Sequence, residues 1–167
     1  DVVNRTLSRL IDLRAFQGDP YATTLDFLNL LREEAGPEWD DLITDFFERI
    51  IIFDLKATGA TKRALGDNLW EVTLAVEAGK FVADGAGIQT EEPIDYMVDI
   101  GIFTRDLEGS ISGSDHVLFM EKRRVNEDQM QFVITVEGEP VWAGIDPYNK
   151  LIDRNTDDNL MPVSLAN

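Results

Sequence analysis

"LWEVTLAVEAGKF", residues 69–81, decides the fold. Trp70, Val72, Leu74 and Val76 alternate with Glu71, Thr73, Ala75 and Glu77, the period-two pattern of a strand with one face in a core and one toward water. The same period runs through "PIDYMVDIGIF" (93–103), with Ile94, Tyr96, Val98 and Ile100 inward against Asp95, Met97, Asp99 and Gly101. It returns in "QMQFVITVEG" (129–138), with Met130, Phe132, Ile134 and Val136 set against Gln131, Val133, Thr135 and Glu137. Shorter strands are expected at 51–58, 81–84, 117–124 and 140–145. Turns fall at "DGAG" (84–87), "EGSISGSD" (108–115) and "EGEP" (137–140). Seven or so short strands in about a hundred residues, each with one apolar face, predict an antiparallel immunoglobulin-like β-sandwich over 51–155.

Upstream of this region the period is that of helices. Val2, Val3, Thr6, Leu7, Leu10, Ile11 and Leu13 recur at three- and four-residue steps, and "GDP" (18–20) ends the pattern. Thr23 or Thr24 caps a second helix with Leu25, Phe27, Leu28, Leu30 and Leu31 inward. Gly36 closes it and Pro37 opens a third. In the third, Trp39, Leu42, Ile43, Phe46, Phe47 and Ile50 form an apolar stripe opposite Asp40, Asp41, Asp45 and Glu48. Three large rings are many for one short helix, so at least two of Trp39, Phe46 and Phe47 are expected to be buried against the other helices or the sandwich. The fold class is therefore α+β: a helical segment over 1–50 packed with a sandwich over 51–155, and a tail at 156–167.

The 167 residues carry a net charge of −17, with the acidic excess spread over both halves. A field of that sign repels phosphate backbones and anionic lipid, which argues against nucleic-acid binding and against docking on such membranes. There is no cysteine, so disulfides and thiolate metal sites are excluded. No apolar run approaches the length of a membrane span. Asp1 opens directly into a helical pattern without an initiator methionine, as expected of a piece of a longer chain.

Candidate chemistry is sparse. His116 is the single histidine, in "SDHVLF". With Ser112, Ser114 and Asp115 it offers the residue types of a hydrolytic triad, but a zinc site needs further strong ligands, and such types near one another are commonly a loop. "ADGAGIQ" (83–89) has glycines but neither the lysine nor the helix of a phosphate loop, and reads as a hairpin turn. Glu33–Glu34, Asp40–Asp41 and Glu91–Glu92 read as solvated faces. The run Lys122, Arg123, Arg124 is too short for nucleic acid against this overall charge.

"DPYNKLIDRNTDDN" (146–159) is the most unusual stretch, and its Asp153, Asn155 and Asp157 fall at positions one, three and five of a calcium loop. The sixth position, which needs glycine, is Asp158, and the twelfth, which needs glutamate, is Ser164. The EF-hand reading fails. A looser calcium site at 153–158 stands as the minority reading beside a turn closed by side chains bonding local backbone.

Residues 3–57, from "VNRTLSRLIDLRAFQGDPYATTLDFL" to "IIIFDLKA", then 69–103, then "DPYNKLIDRNTDDN" together resemble the C-terminal part of zinc aminopeptidases of the aminopeptidase N type. The likeness is strongest to bacterial members joined to ABC-2 type transporter permease segments. In that family a His-Glu-x-x-His helix and a later glutamate hold zinc, and a tyrosine stabilises the transition state. None of that motif is present, and Tyr21 in "DPYATTLDFL" does not occupy the tyrosine's place, so no catalytic, cofactor or metal residue transfers. The resemblance implies the last helices of a catalytic domain over 1–50 and the all-β domain after it. It also implies zinc in the missing catalytic part, partners within the same parent protein, including a permease part, and the extracytoplasmic face of a bacterial membrane. A non-catalytic packing module is the function expected. The competing expectation is a stand-alone binding module for a peptide, glycan or cation, with Trp142 or Tyr148 as its contact aromatics.

Overall fold

The computed structural model describes residues 1–104 and 116–166. The chain divides into two compact units, residues 1–50 and 51–167. The turn expected at 108–115 lies outside the described residues.

The first unit holds α1 (Val2–Arg14), α2 (Thr24–Ala35) and α3 (Asp40–Phe47). Thr23 caps α2 through a reciprocal pair: its hydroxyl accepts from Asp26 N–H, and the Asp26 carboxylate accepts from Thr23 N–H. Gly36, at φ +94°, ends the helix in a conformation that favours glycine. The third helix does not start at Pro37. Pro37–Trp39 form a single 3-10 turn before α3 begins. Arg5 and Arg9 of α1 pair with Glu34 of α2 at 3.0 and 2.8 Å, and Arg14 pairs with Asp26 at 2.7 Å.

Leu28, Leu31 and Ile43 form the small core of this unit, with Val2, Phe27 and Ala35 against it. The broader inward faces expected from the sequence are not formed. Of α1 only Thr6 is buried, and Leu7, Ile11, Leu13 and Leu25 stay exposed. Trp39, Phe46 and Phe47 are 51%, 57% and 50% exposed, which corrects the expectation that two of them are buried. Three short helices have too little facing surface to cover every apolar side chain they carry.

The second unit contains two sheets. One is built from β1 (Ile50–Gly66), β2 (Leu69–Ala83), β3 (Gln89–Glu92), β6 (Gln129–Glu137) and β9 (Ser164–Leu165). The other is built from β4 (Tyr96–Phe103), β5 (Val117–Val125), β7 (Trp142–Ile145) and β8 (Leu160–Pro162), in the order β5-β4-β7-β8. The pairs β2–β3, β2–β6, β4–β5, β4–β7 and β7–β8 are antiparallel, whereas β1 runs parallel to β9 over two residues and makes a parallel bridge from Phe53 to Asp153. β1 and β2 are longer than the expected strands 51–58 and 69–81 because "GDNL" joins them directly. Asp67 and Asn68 sit at φ 50° and 61°, the left-handed pair that a two-residue type I′ hairpin requires. Both are residue types that tolerate this region. The expected strand at 81–84 is the end of β2. The segment 156–167, expected as a tail, supplies β8 to one sheet and β9 to the other.

One core joins the sheets. Phe53, Leu55, Val72, Leu74, Val76, Ile134 and Val136 come from the first, and Val98, Ile100, Ile102, Ala143 and Ile145 from the second. β2 and β6 show the alternation read from the sequence, down to the exposed Val133. β4 does not. From Val98 to Phe103 every residue is buried, so Asp99 and Gly101, expected outward, lie under a second cover.

Candidate functional site

The cover over β4 is the start of the aspartate-rich stretch. Asp146 N–H donates to the Asp99 carbonyl at 2.7 Å, and the chain then turns back through left-handed residues at Asp146 (φ 42°) and Asn149 (φ 50°). The Asp146 carboxylate, 1% exposed, closes this turn by accepting from Lys150 N–H at 3.1 Å and Leu151 N–H at 2.9 Å. Pro147 lies over Gly101, where a Cβ would come within 2.9 Å of its ring. Tyr148 meets Phe103 edge to face at 6.3 Å between ring centres. Phe103 is fully buried, held also by the ring of His116 at 6.0 Å.

Lys150 Nζ reaches Asp99 Oδ2 at 2.6 Å, and Lys122 Nζ stands 3.5 Å from Oδ1. Burial pushes the Asp99 carboxyl up, but the Lys150 hydrogen bond and the charges of Lys122 and Lys150 outweigh it and leave the group below its ordinary 3.8. A carboxylate depressed in the folded state adds stability that is complete above the unfolded value. That stability is lost as pH falls below 3.8 and through the lower folded value. Asp99→Asn is expected to remove about 1.5–3 kcal/mol at neutral pH, the net worth of a hydrogen bond to a charged group. It should also flatten the acid limb of the stability curve. Urea unfolding at pH 7 and near pH 3 checks both, and equal losses at the two pH values would contradict the assignment.

Beyond the cover, the chain crosses to the other sheet. Phe53 N–H donates to the Ile152 carbonyl at 2.8 Å, and Arg154 N–H donates to the Phe53 carbonyl at 3.0 Å. This sets Asp153 beside β1, with Oδ1 accepting from Leu55 N–H at 3.4 Å and Asn155 N–H at 3.3 Å. A 3-10 turn, Thr156–Asp158, follows, and the Asn159 carbonyl then accepts from Ile145 N–H of β7 at 3.0 Å. Around this turn Asp153 Oδ2, Asp158 Oδ1 and both amide atoms of Asn159 are buried without a hydrogen-bond partner. Burial raises the Asp153 pKa. The Asn159 amide faces its carboxylate and offsets that in part, but no pair of their atoms has hydrogen-bond geometry. Arg154 lies over the Phe81 ring at 3.8 Å and bonds to Asp54 and Gln89.

His116 is 3% exposed, with both ring nitrogens unpartnered, and its carbonyl accepts from Thr104. Ser112, Ser114 and Asp115 lie outside the described residues. The turn at 84–87 is a hairpin closed by Asp84, whose carboxylate accepts from Ala86 and Ile88 N–H. Arg123 and Arg124 pair with Glu121 and Asp95. Glu33 and Glu34 pair with Arg5 and Arg9. A depression of about 440 Å³ at Asn4, Arg5, Ser8 and Arg9 is open, and its two arginines are already engaged by those glutamates. Trp142 and Tyr148 are half-buried. Tyr21 is exposed.

Among the described residues, no group of three or more His, Cys, Asp or Glu side chains converges as a metal site. The unpartnered set at 153–159 is two carboxylates and an amide. Sequence reasoning reached Asp153 but missed Asp99, Lys150 and Asn159. An aspartate inside the apolar run "MVDIGIF" is the signal for the first, since it demands a cationic partner. Comparison with known proteins finds no family model and no curated protein that matches the chain.

Proposed function

We propose that this chain is a non-catalytic structural and packing module of a larger zinc aminopeptidase-like protein, with its second unit an immunoglobulin-like sandwich. The observation that carries this reading is the surface of the helical unit. Leu7, Ile11, Leu13, Leu25, Phe46 and Phe47 are all exposed on fifty residues, and apolar surface on that scale is commonly a face meant for protein contact. In the resembled family the rest of the catalytic domain would supply that contact, and zinc would be held there. The alternative of a stand-alone binding module has less support, because Trp142 and Tyr148 are half-buried and Tyr148 packs on Phe103.

The purified chain is expected to release no aminoacyl chromophore with zinc supplied, since an active zinc site needs three protein ligands and an open position. Turnover that co-purifies with the chain would overturn the reading. The coding sequence upstream of Asp1 is the complementary test: it should encode His-Glu-x-x-His, and its absence would remove the aminopeptidase parentage.

A further inference from the structure

We propose that β6 is the contact edge of a homodimer, in which a second copy of this chain lays its own β6 antiparallel to the first and joins the two five-stranded sheets into one. β6 keeps an unbroken register with β2, from Gln129 against Glu77 to Glu137 against Leu69. Just beyond its ends, Ala78 N–H donates to the Asp128 carbonyl and Gly138 N–H donates to the Asn68 carbonyl. Antiparallel ladders alternate, so the even-numbered residues of β6 hold the hydrogen-bonded pairs with β2. The backbone groups of the odd-numbered residues, Gln131, Val133 and Thr135 among them, therefore point away from β2. Among the described residues no strand pairs with β6 on that side.

The other sheet edges are each protected. The free side of β1 is followed by the end of the chain, through Ile152 and Arg154 on Phe53, Asp153 on Leu55, and β9 on Thr61 and Lys62. β3 is four residues long and ends in Glu91 and Glu92. β8 is three residues long and ends in Pro162. β5 carries Glu121, Lys122, Arg123 and Arg124 in succession, and its register with β4 shifts at Ile102 and Phe103. Short length, charge, proline and irregular register are the usual means of keeping an edge from pairing. β6 has none of them. Its nine residues include no proline, no glycine and no basic side chain, and its one charge is at the last position.

Self-complementarity points to the occupant. A two-fold axis at Val133, the middle residue, overlaps the whole strand and sets Val133 against its copy, Gln131 against Thr135 and Gln129 against Glu137. These residues are all exposed, on the face opposite the core, and no pair opposes like charges. On the core side Phe132 meets Ile134 and Met130 meets Val136, so the second copy covers the half-buried rim that Met130 and Phe132 form. Val133, 63% exposed, is the apolar centre of the contact. One patch paired with itself about a two-fold axis closes at two copies. This edge is separate from the exposed helix surface and does not depend on the parentage proposed above.

The test is sedimentation of the full chain over a range of concentrations, with enough salt to screen the repulsion between two copies of net charge −17. The expected result is a reversible monomer–dimer equilibrium with a Kd in the micromolar range, as befits a small interface. Val133→Glu sets two carboxylates against each other at the axis and should raise the Kd by about tenfold or more. Ile11→Glu makes the same charge change on a helix residue that is 61% exposed, and should raise it by less than about threefold. Both positions are exposed, so the fold tolerates either change. In the wild-type chain, the Gln131, Val133 and Thr135 amides should exchange more slowly as concentration rises, whereas the Ile134 amide, directed at β2, stays protected throughout. A chain monomeric at every concentration would overturn the dimer and leave the edge to an extended segment of another protein. Equal responses to the two substitutions, a dimer lost only on Ile11→Glu, or odd-numbered amides indifferent to concentration would each overturn it as well.

Discussion

Gly144→Ala is expected to unfold the sandwich under conditions where the wild-type chain is folded. A Cβ at this position would sit 2.0 Å from the Asn159 carbonyl oxygen and 2.9 Å from Leu160 Cα. Both are backbone atoms, so no side-chain rotation relieves the contact. Gly144 pairs with Leu160 in the β7–β8 ladder, and its neighbour Ile145 donates to that same Asn159 carbonyl. Moving the strands apart therefore breaks the ladder and the hydrogen bond together. Overpacking a well-filled interior costs about 1–3 kcal/mol when side chains can adjust, and a backbone clash belongs at or above the upper end. Against a domain stability of roughly 5–15 kcal/mol this is a large loss. Urea unfolding followed by far-ultraviolet circular dichroism measures it. A loss below about 1 kcal/mol would mean that β8 is free to retreat from β7.

Phe103→Ala should cost about 3–5 kcal/mol, the usual range for a fully buried phenylalanine once its cavity is counted. Phe103 is not part of the core between the sheets. It lies on the other face of β4, under Tyr148 and against His116. Its truncation therefore has a second, local consequence: the turn at 146–151 loses the ring on which it rests. The Lys150 and Leu151 amides, which donate to the Asp146 carboxylate, should exchange with solvent far faster in the variant. A destabilised protein whose Leu151 amide keeps its protection relative to the β2–β6 amides would show that the turn is held by its polar contacts alone.

The elements of this fold differ in how readable they were. Alternation in 69–81 and 129–138 identified strands whose partners cover one face only, and the exposed Val133 does not disturb the pattern. The caps at Thr23 and Gly36 were equally legible, because capping involves residues three or four positions apart. Asp99 was assigned to solvent by the same alternation that placed Val98 and Ile100 correctly. Nothing local to "YMVDIGIF" announces that residues 146–151 will lie over it. Asp67 and Asn68 carried a turn signal that would have extended β1 and β2, since both residue types accept positive φ. Asn159 looked like one more polar residue in a polar tail. Its burial depends on β8 pairing with β7, and on a glycine at 144 that lets the backbones meet.

The sequence by itself determined that helices come first and strands after, which strand faces are apolar, and that no cysteine or second histidine is present for metal chemistry. These follow from periods of two and 3.6 and from composition, all properties of a few neighbouring residues. Only the tertiary structure decided that Lys150 meets Asp99, that Trp39, Phe46 and Phe47 stay exposed, and that the last dozen residues enter both sheets. It also decided that the oxygens of Asp153, Asp158 and Asn159 are buried around one turn. The reason is physical: desolvation and pairing are set by residues up to a hundred positions away, as when Arg154 reaches Asp54. No local pattern encodes which distant segment will displace the water.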